Sequence, residues 1–150
     1  MKLISACLLG IKCNWRGDDG YKSEAALNLA SLEQLIPICP ERFGGMDSPR
    51  PRIEIASGDG CDVLDGRAKV MTVDGTDVSD MIVAGASAVL KTAREYNATQ
   101  FIGKSGSPSC GCGTIYDGTF SDKLITGDGV TAALLKRNGI EVISADNLHF

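Results

Sequence analysis

With 150 residues, 43% of them apolar, the chain is long enough to bury its own core as one domain without staples. Its net charge of -4, with acids and bases interspersed, excludes a basic surface that tracks a phosphate backbone, and no apolar run reaches the roughly 20 residues that span a bilayer. Met1–Cys7 runs straight into an apolar stretch with no signal-peptide core, so a cytoplasmic chain is expected. In that compartment six cysteines read as metal ligands, catalytic thiols or small buried side chains rather than as disulfides.

In chain order, Leu3–Ala6 reads as a first strand. Ser23, with Glu24 in the first turn, opens a short helix over Ala25–Ala30, and Leu35–Ile38 is a second strand. Pro40–Pro51 is rich in Gly and Pro and reads as a loop long enough to be functional. Ile53–Ile55 alternates like an extended segment. Asp62–Leu64 and Lys69–Val73 flank Asp65-Gly66, the turn signature of a hairpin. Thr76 or Asp77 caps the best helix, whose Met81, Ile82, Gly85, Ala88, Val89 and Ala93 recur at helical spacing. Phe101–Gly103 is a strand, followed by a Ser/Gly/Cys loop over Lys104–Gly113. Val130–Asn138 is a helix closed at Gly139 by a left-handed cap, and Ile140–Ile143 is the last strand. Four strands separated by three helices predict right-handed crossovers. The expected fold is therefore a single three-layer α/β domain over residues 1–150, with a mainly parallel, Rossmann-like sheet and the hairpin as an insertion.

Cys7, Cys39 and Cys110 each lie in a loop just past one of these apolar runs. Parallel strands would gather all three thiols at one sheet edge, where open α/β folds place their ligands. Three soft ligands from distant parts of the chain suit a metal or an iron–sulfur cluster. Cys110-Gly111-Cys112 is too tight for a zinc knuckle and has no second pair, which favours the cluster. In Cys39-Pro40-Glu41 the proline stiffens the chain beside the thiol, as recurs at iron–sulfur ligands; a buried cysteine followed by a surface glutamate is the alternative. Ser107-Pro108-Ser109-Cys110-Gly111 puts two hydroxyls on a rigid turn before a thiol, with Lys104 upstream to hold an anionic group. The alternative is a surface loop whose hydroxyls satisfy their own backbone. Cys13 is an extra ligand, a spectator or a redox partner of Cys7; Cys61, in a turn beside the hairpin, and Cys112 read as incidental. The stiff Pro49-Arg50-Pro51-Arg52 segment forms a solvated loop, local ion pairs or an anion site, and His149 reads as a frayed surface residue.

Together these strings resemble domain-of-unknown-function family 523. The resemblance is carried by Ser5-Ala6-Cys7-Leu8-Leu9-Gly10, Cys39-Pro40-Glu41, Gly44-Gly45 with Pro49-Arg50-Pro51 and Glu54, and Ser107-Pro108-Ser109-Cys110-Gly111. Ile115-Tyr116-Asp117-Gly118-Thr119-Phe120 and Gly129-Val130-Thr131-Ala132-Ala133-Leu134-Leu135 extend it over essentially the whole chain. The family's characterised branch is the thiouracil desulfidases. By resemblance, such a protein holds a 4Fe-4S cluster through only three cysteines and leaves one iron open for the thiocarbonyl sulfur of 2- or 4-thiouracil. A water positioned by a glutamate and a serine attacks the carbon, giving uracil and sulfide without net redox change. Carried onto this chain, the resemblance implies Cys7, Cys39 and Cys110 as ligands, Glu41 as acid/base and Ser107 or Ser109 as the serine. Cys13 stays open as a ligand in place of one of the three. The implied partner is a small thiolated pyrimidine or thioamide, with neither nucleic acid nor membrane, and the oligomeric state is left open. A metal- or cluster-binding module without turnover and a thiol oxidoreductase using Cys7 and Cys13 are the other readings.

Overall fold

The computed structural model describes residues 1–148, so the expected surface position of His149 lies outside the described residues. In chain order the elements are β1 (Lys2–Ser5), α1 (Glu24–Leu32), β2 (Leu35–Ile38), α2 (Pro40–Phe43), β3 (Ile53–Ala56), α3 (Gly60–Leu64), β4 (Lys69–Thr72), α4 (Ser79–Glu95), β5 (Gln100–Gly103), β6 (Thr114–Tyr116), β7 (Leu124–Thr126), α5 (Val130–Arg137) and β8 (Glu141–Ser144). Tight 3-10 turns follow β1 at Ala6–Leu9 and β8 at Ala145–Asn147.

Four strands form a parallel sheet in the order β2-β1-β5-β8, with Lys2 beside Leu35 and Gln100, and Gln100 beside Glu141. Both faces of the sheet are covered, so its strands are apolar at successive positions rather than at alternate ones. Leu3 packs with Val89, Phe101 and Leu135 on the α4 and α5 side, whereas its neighbour Ile4 packs with Ala26, Leu29 and Ile102 on the α1 side. The expected three-layer α/β architecture with a mainly parallel sheet is what forms. From β1 the chain steps outward to β2, then crosses back to β5 on the other side of β1. That reversal leaves a crevice at the carboxyl ends of β1 and β5, the usual ligand position in open α/β sheets.

Pro40–Phe43 forms the short helix α2 where an irregular loop was expected, since proline is well suited to a helix's first turn, and the insertion also differs from its expected form. Asp62–Leu64 is not a strand of a hairpin about Asp65-Gly66 but part of α3. Asp59 accepts from the Asp62 amide at 3.1 Å while Asp62 accepts from the Asp59 amide at 3.0 Å, a reciprocal cap that satisfies two exposed helix donors. Strand β4 pairs instead with β3, antiparallel, Ile53 beside Thr72. Cys61 therefore sits on a helix and not in a turn. A second antiparallel pair, β6 with β7, has no counterpart in the sequence reading. Helix α4 begins at Ser79, two residues after the expected cap, because Asp77 accepts from the Ser79 amide and hydroxyl. Gly139 does close α5 in the left-handed region at φ +79°, its amide donating to the Lys136 carbonyl. Among the described residues no helix is long and apolar enough to cross a membrane.

Candidate active site

Ser5, Ile38 and Gly103 end three adjacent strands, and the loops that leave them carry Cys7, Cys39 and Cys110. All three thiols line one cavity of about 310 Å³, together with Cys13, Glu41 and Ser107. Three close backbone contacts set the loops. A Cβ on Gly103 would lie 2.1 Å from the Cys110 carbonyl oxygen, so only glycine lets the 104–113 loop fold back onto β5. A Cβ on Gly85 would lie 2.0 Å from the Pro40 carbonyl oxygen, and one on Gly44 2.0 Å from that of Met81. Helix α2 thus rests backbone to backbone on α4, and the Cys39-Pro40-Glu41 segment is seated by that contact.

Both oxygens of Glu41 are held. Arg50 Nε donates to Oε1 at 2.9 Å and Ser109 Oγ donates to Oε2 at 3.1 Å. The Arg50 and Glu41 side chains are only 5% and 12% exposed, so solvent screens this pair little. Ser109 is fully buried, whereas Ser107 faces the cavity. Ser107 Oγ accepts from the Ser109 amide at 3.1 Å and the Cys110 amide at 2.9 Å. Its acceptor capacity is spent on the backbone, which leaves its own proton to donate. The two candidate serines therefore occupy different places, one against Glu41 and one on the cavity wall.

The thiols differ in ionisation. Burial pushes Cys7 up to about 11, with the nearby Lys104 ammonium pulling the other way. Burial raises Cys110 well above the ordinary thiol value. A hydrogen bond from the Cys13 thiol holds Cys39 down to about 7 and raises Cys13 in turn. The Cys39 sulfur also lies 3.6 Å from the Cys13 carbonyl oxygen. Cys112 is turned away from the cavity, its thiol 3.4 Å from the Val142 carbonyl oxygen. Among the described residues no three Cys, His, Asp or Glu side chains close on one point tightly enough to hold a single ion.

The Pro49–Arg52 segment makes ion pairs. Arg52 Nη2 donates to Glu54 at 3.1 Å and to Asp122 at 3.2 Å. Glu54, 2% exposed, also accepts the Gly118 and Phe120 amides and so ties down the β6–β7 connection. Lys104 lines the cavity, its Nζ donating to the Ser105 carbonyl at 2.9 Å and lying 4.2 Å from the Tyr21 ring centroid. Sequence reasoning missed the aromatic wall. The chain has one Trp and three Tyr, and Trp15, Tyr21 and Tyr116 line this cavity. The only signal was the scarcity of such rings in a chain that is 5% aromatic.

Comparison with known proteins gives a consistent answer. Residues 3–147 match the family described as 2-thiouracil desulfurase. The uncharacterised protein YbbK of Bacillus subtilis (strain 168) is 48% identical over 149 residues, which cover 99% of this chain and 98% of that protein. A solved structure of the [4Fe-4S]-dependent thiouracil desulfidase TudS (DUF523Vcz) superposes with a TM-score of 0.83 at 36% identity, covering 97% of this chain and 91% of that one. A match spanning almost every residue, with the strand-end thiols gathered at one cavity, means that the chain belongs to the 2-thiouracil desulfurase family.

Proposed function

We propose that this chain hydrolyses the carbon–sulfur bond of thiouracil or a related small thiocarbonyl compound, using a 4Fe-4S cluster held by Cys7, Cys39 and Cys110. The observation that carries the reading is the convergence of three thiols from three strand-end loops on one cavity, beside a carboxylate whose two oxygens are both fixed. The donor set fits the group: soft thiolates are the usual ligands of iron–sulfur clusters, and Cys7, Cys39 and Cys110 line one cavity. When bound through three thiolates, the cluster supplies a Lewis-acidic iron with affinity for the sulfur of a thiocarbonyl.

The chain's own groups supply the rest. Glu41, aimed by Arg50 and Ser109, takes a proton from water as its oxygen bonds to the thiocarbonyl carbon. Ser107 donates its free hydroxyl proton to orient that water or the substrate. The carbon–sulfur bond breaks, the carbonyl product keeps the water oxygen, and the sulfur leaves as hydrogen sulfide with both water protons. Trp15 and Tyr116 offer flat apolar surface to a heteroaromatic ring. Arg50 and Arg52 are committed to carboxylates, so Lys104 is the cavity cation with no carboxylate partner among the described residues and serves a ring carbonyl oxygen. Six free cysteines suit a reducing, cytoplasmic setting.

The test is anaerobic reconstitution followed by incubation with 2- and 4-thiouracil. Release of sulfide with loss of the thiocarbonyl absorbance is expected. A cluster-loaded protein that releases none, from these or from other small thioamides, would be a binding module instead.

A further inference from the structure

Cys13 is a buried thiol that the proposed reaction does not use. It is 8% exposed and lines the cavity, yet it belongs to none of the three apolar clusters among the described residues. Its backbone is fastened to the side of the cavity from which Cys39 comes. Ser48 Oγ donates to the carbonyls of Lys12 and Asn14, at 3.4 and 2.6 Å, and the Arg50 amide donates to the Trp15 carbonyl at 2.8 Å. These bonds bracket Cys13 and stitch it to the segment that follows α2. The Cys39 thiol then donates to the Cys13 carbonyl oxygen at 3.6 Å, and both side chains line the same cavity. Cys7, one of the alternative partners that the sequence spacing offers, lies in the tight turn after β1 and lines the same cavity.

We propose that Cys13 and Cys39 form a reversible disulfide when the site carries no cluster, and that this bond withdraws Cys39 from iron binding. The oxidant is a low-molecular-weight disulfide. One cavity thiol attacks it and forms a mixed disulfide, expelling one small thiol; the second cavity thiol attacks the protein sulfur of that bond and expels the other. Two electrons pass from the protein sulfurs to the oxidant, and the two protons leave on the released thiols. A dithiol or phosphine reductant reverses the change. The bond protects a cluster ligand from irreversible oxidation while the cavity stands open. The disulfide rests on the Cys13–Cys39 contact alone, whereas its blocking role rests on Cys39 being a ligand.

The test uses the full-length, cluster-free chain treated with cystamine, then alkylated and digested without reduction for mass spectrometry. A Cys13–Cys39 cross-linked peptide is expected, unaffected by Cys61→Ser or Cys112→Ser. Cys13→Ala should leave Cys39 as a mixed disulfide with cysteamine. A Cys7–Cys13 or Cys7–Cys39 bond in the wild type, or no protein disulfide at all, overturns the proposal. In the second arm, a preloaded scaffold protein donates its cluster without added thiol. The oxidised chain should lose most of its cluster uptake and regain it after phosphine reduction. A Cys13–Cys39 bond with undiminished uptake overturns the blocking role and removes Cys39 from the ligand set, without touching the assignment of the disulfide.

Discussion

At Glu41 one carboxylate receives two donors, and replacing a single oxygen tests its role. Glu41→Gln keeps the shape but turns one acceptor into an NH₂ group facing Arg50 Nε or Ser109 Oγ. Cluster absorbance is expected to persist while sulfide release falls about 10²–10⁴-fold, the usual worth of a general base. Wild-type turnover would remove Glu41 from the reaction. The serines separate by kcat: Ser107→Ala removes a hydroxyl on the cavity wall and should lower it more than Ser109→Ala, after which Arg50 still holds Glu41. The ligand set is read by iron content. Cys7→Ser, Cys39→Ser and Cys110→Ser should each abolish retention, and Cys112→Ser, whose thiol faces Val142, should not. Iron kept by any of the first three would break the set. At this scale the sequence was informative where chemistry sits in short strings, as in Cys39-Pro40-Glu41 and Ser107–Gly111. It was less so for Arg50, readable only as one alternative of an ion pair, because its partner lies nine residues away across an irregular loop. Two rings of the aromatic wall, Trp15 and Tyr21, come from the irregular stretch before α1 and the third, Tyr116, ends β6, so no local pattern announces it.

Elements place these residues by backbone contact as much as by side-chain packing. The Gly85 position on α4 was read as part of an apolar face, and it is buried, but its purpose is to let Pro40 approach. Gly85→Ala is expected to push α2 away, costing about 1–3 kcal/mol as overpacking does, and to lower kcat by displacing Cys39 and Glu41. A urea midpoint and turnover equal to wild type would show that α2 is not seated by this contact. Glu54 plays the matching part for the β6–β7 connection. Glu54→Ala should cost about 2–4 kcal/mol, since hydrogen bonds to a charged group are among the stronger ones and two backbone amides lose their acceptor. Hydrogen exchange at Gly118 and Phe120 should accelerate in that variant; unchanged protection would show another anchor. The parallel sheet was readable because four apolar runs alternate with helical periodicity, and both signals survive folding unchanged. The insertion was misread because Asp65-Gly66 is a strong local turn signal. A reciprocal Asp59–Asp62 cap outweighed it, and β3, thirteen residues before β4 begins to pair, was the better antiparallel partner.

For the molecule as a whole, gathering thiols in a low-dielectric cavity couples folding to pH. Cys7 and Cys110 are both raised above 9.0, the ordinary thiol value, chiefly because burial disfavours the thiolate, and Cys13 is raised by its bond to Cys39. Below pH 9 these thiols are protonated in both the folded and the unfolded chain. Between pH 9 and about 11 the unfolded chain gives up the Cys7 proton while the folded chain keeps it. The unfolded state then binds fewer protons, so stability falls as pH rises and the loss is complete above about pH 11. For Cys7 alone the difference between 9.0 and about 11 corresponds to about 3 kcal/mol. Cys110 acts in the same direction. The cluster-free chain should therefore show a urea midpoint that drops steeply above pH 9, and Cys7→Ala should make that drop shallower by removing one of the groups responsible. The comparison between wild type and variant isolates the thiol. Equal slopes would mean that the cavity is wet enough around Cys7 to solvate its thiolate. The same proton balance governs loading. Each raised thiol must lose its proton to bind iron, so cluster uptake should release protons and strengthen with rising pH over the range in which the apo fold weakens.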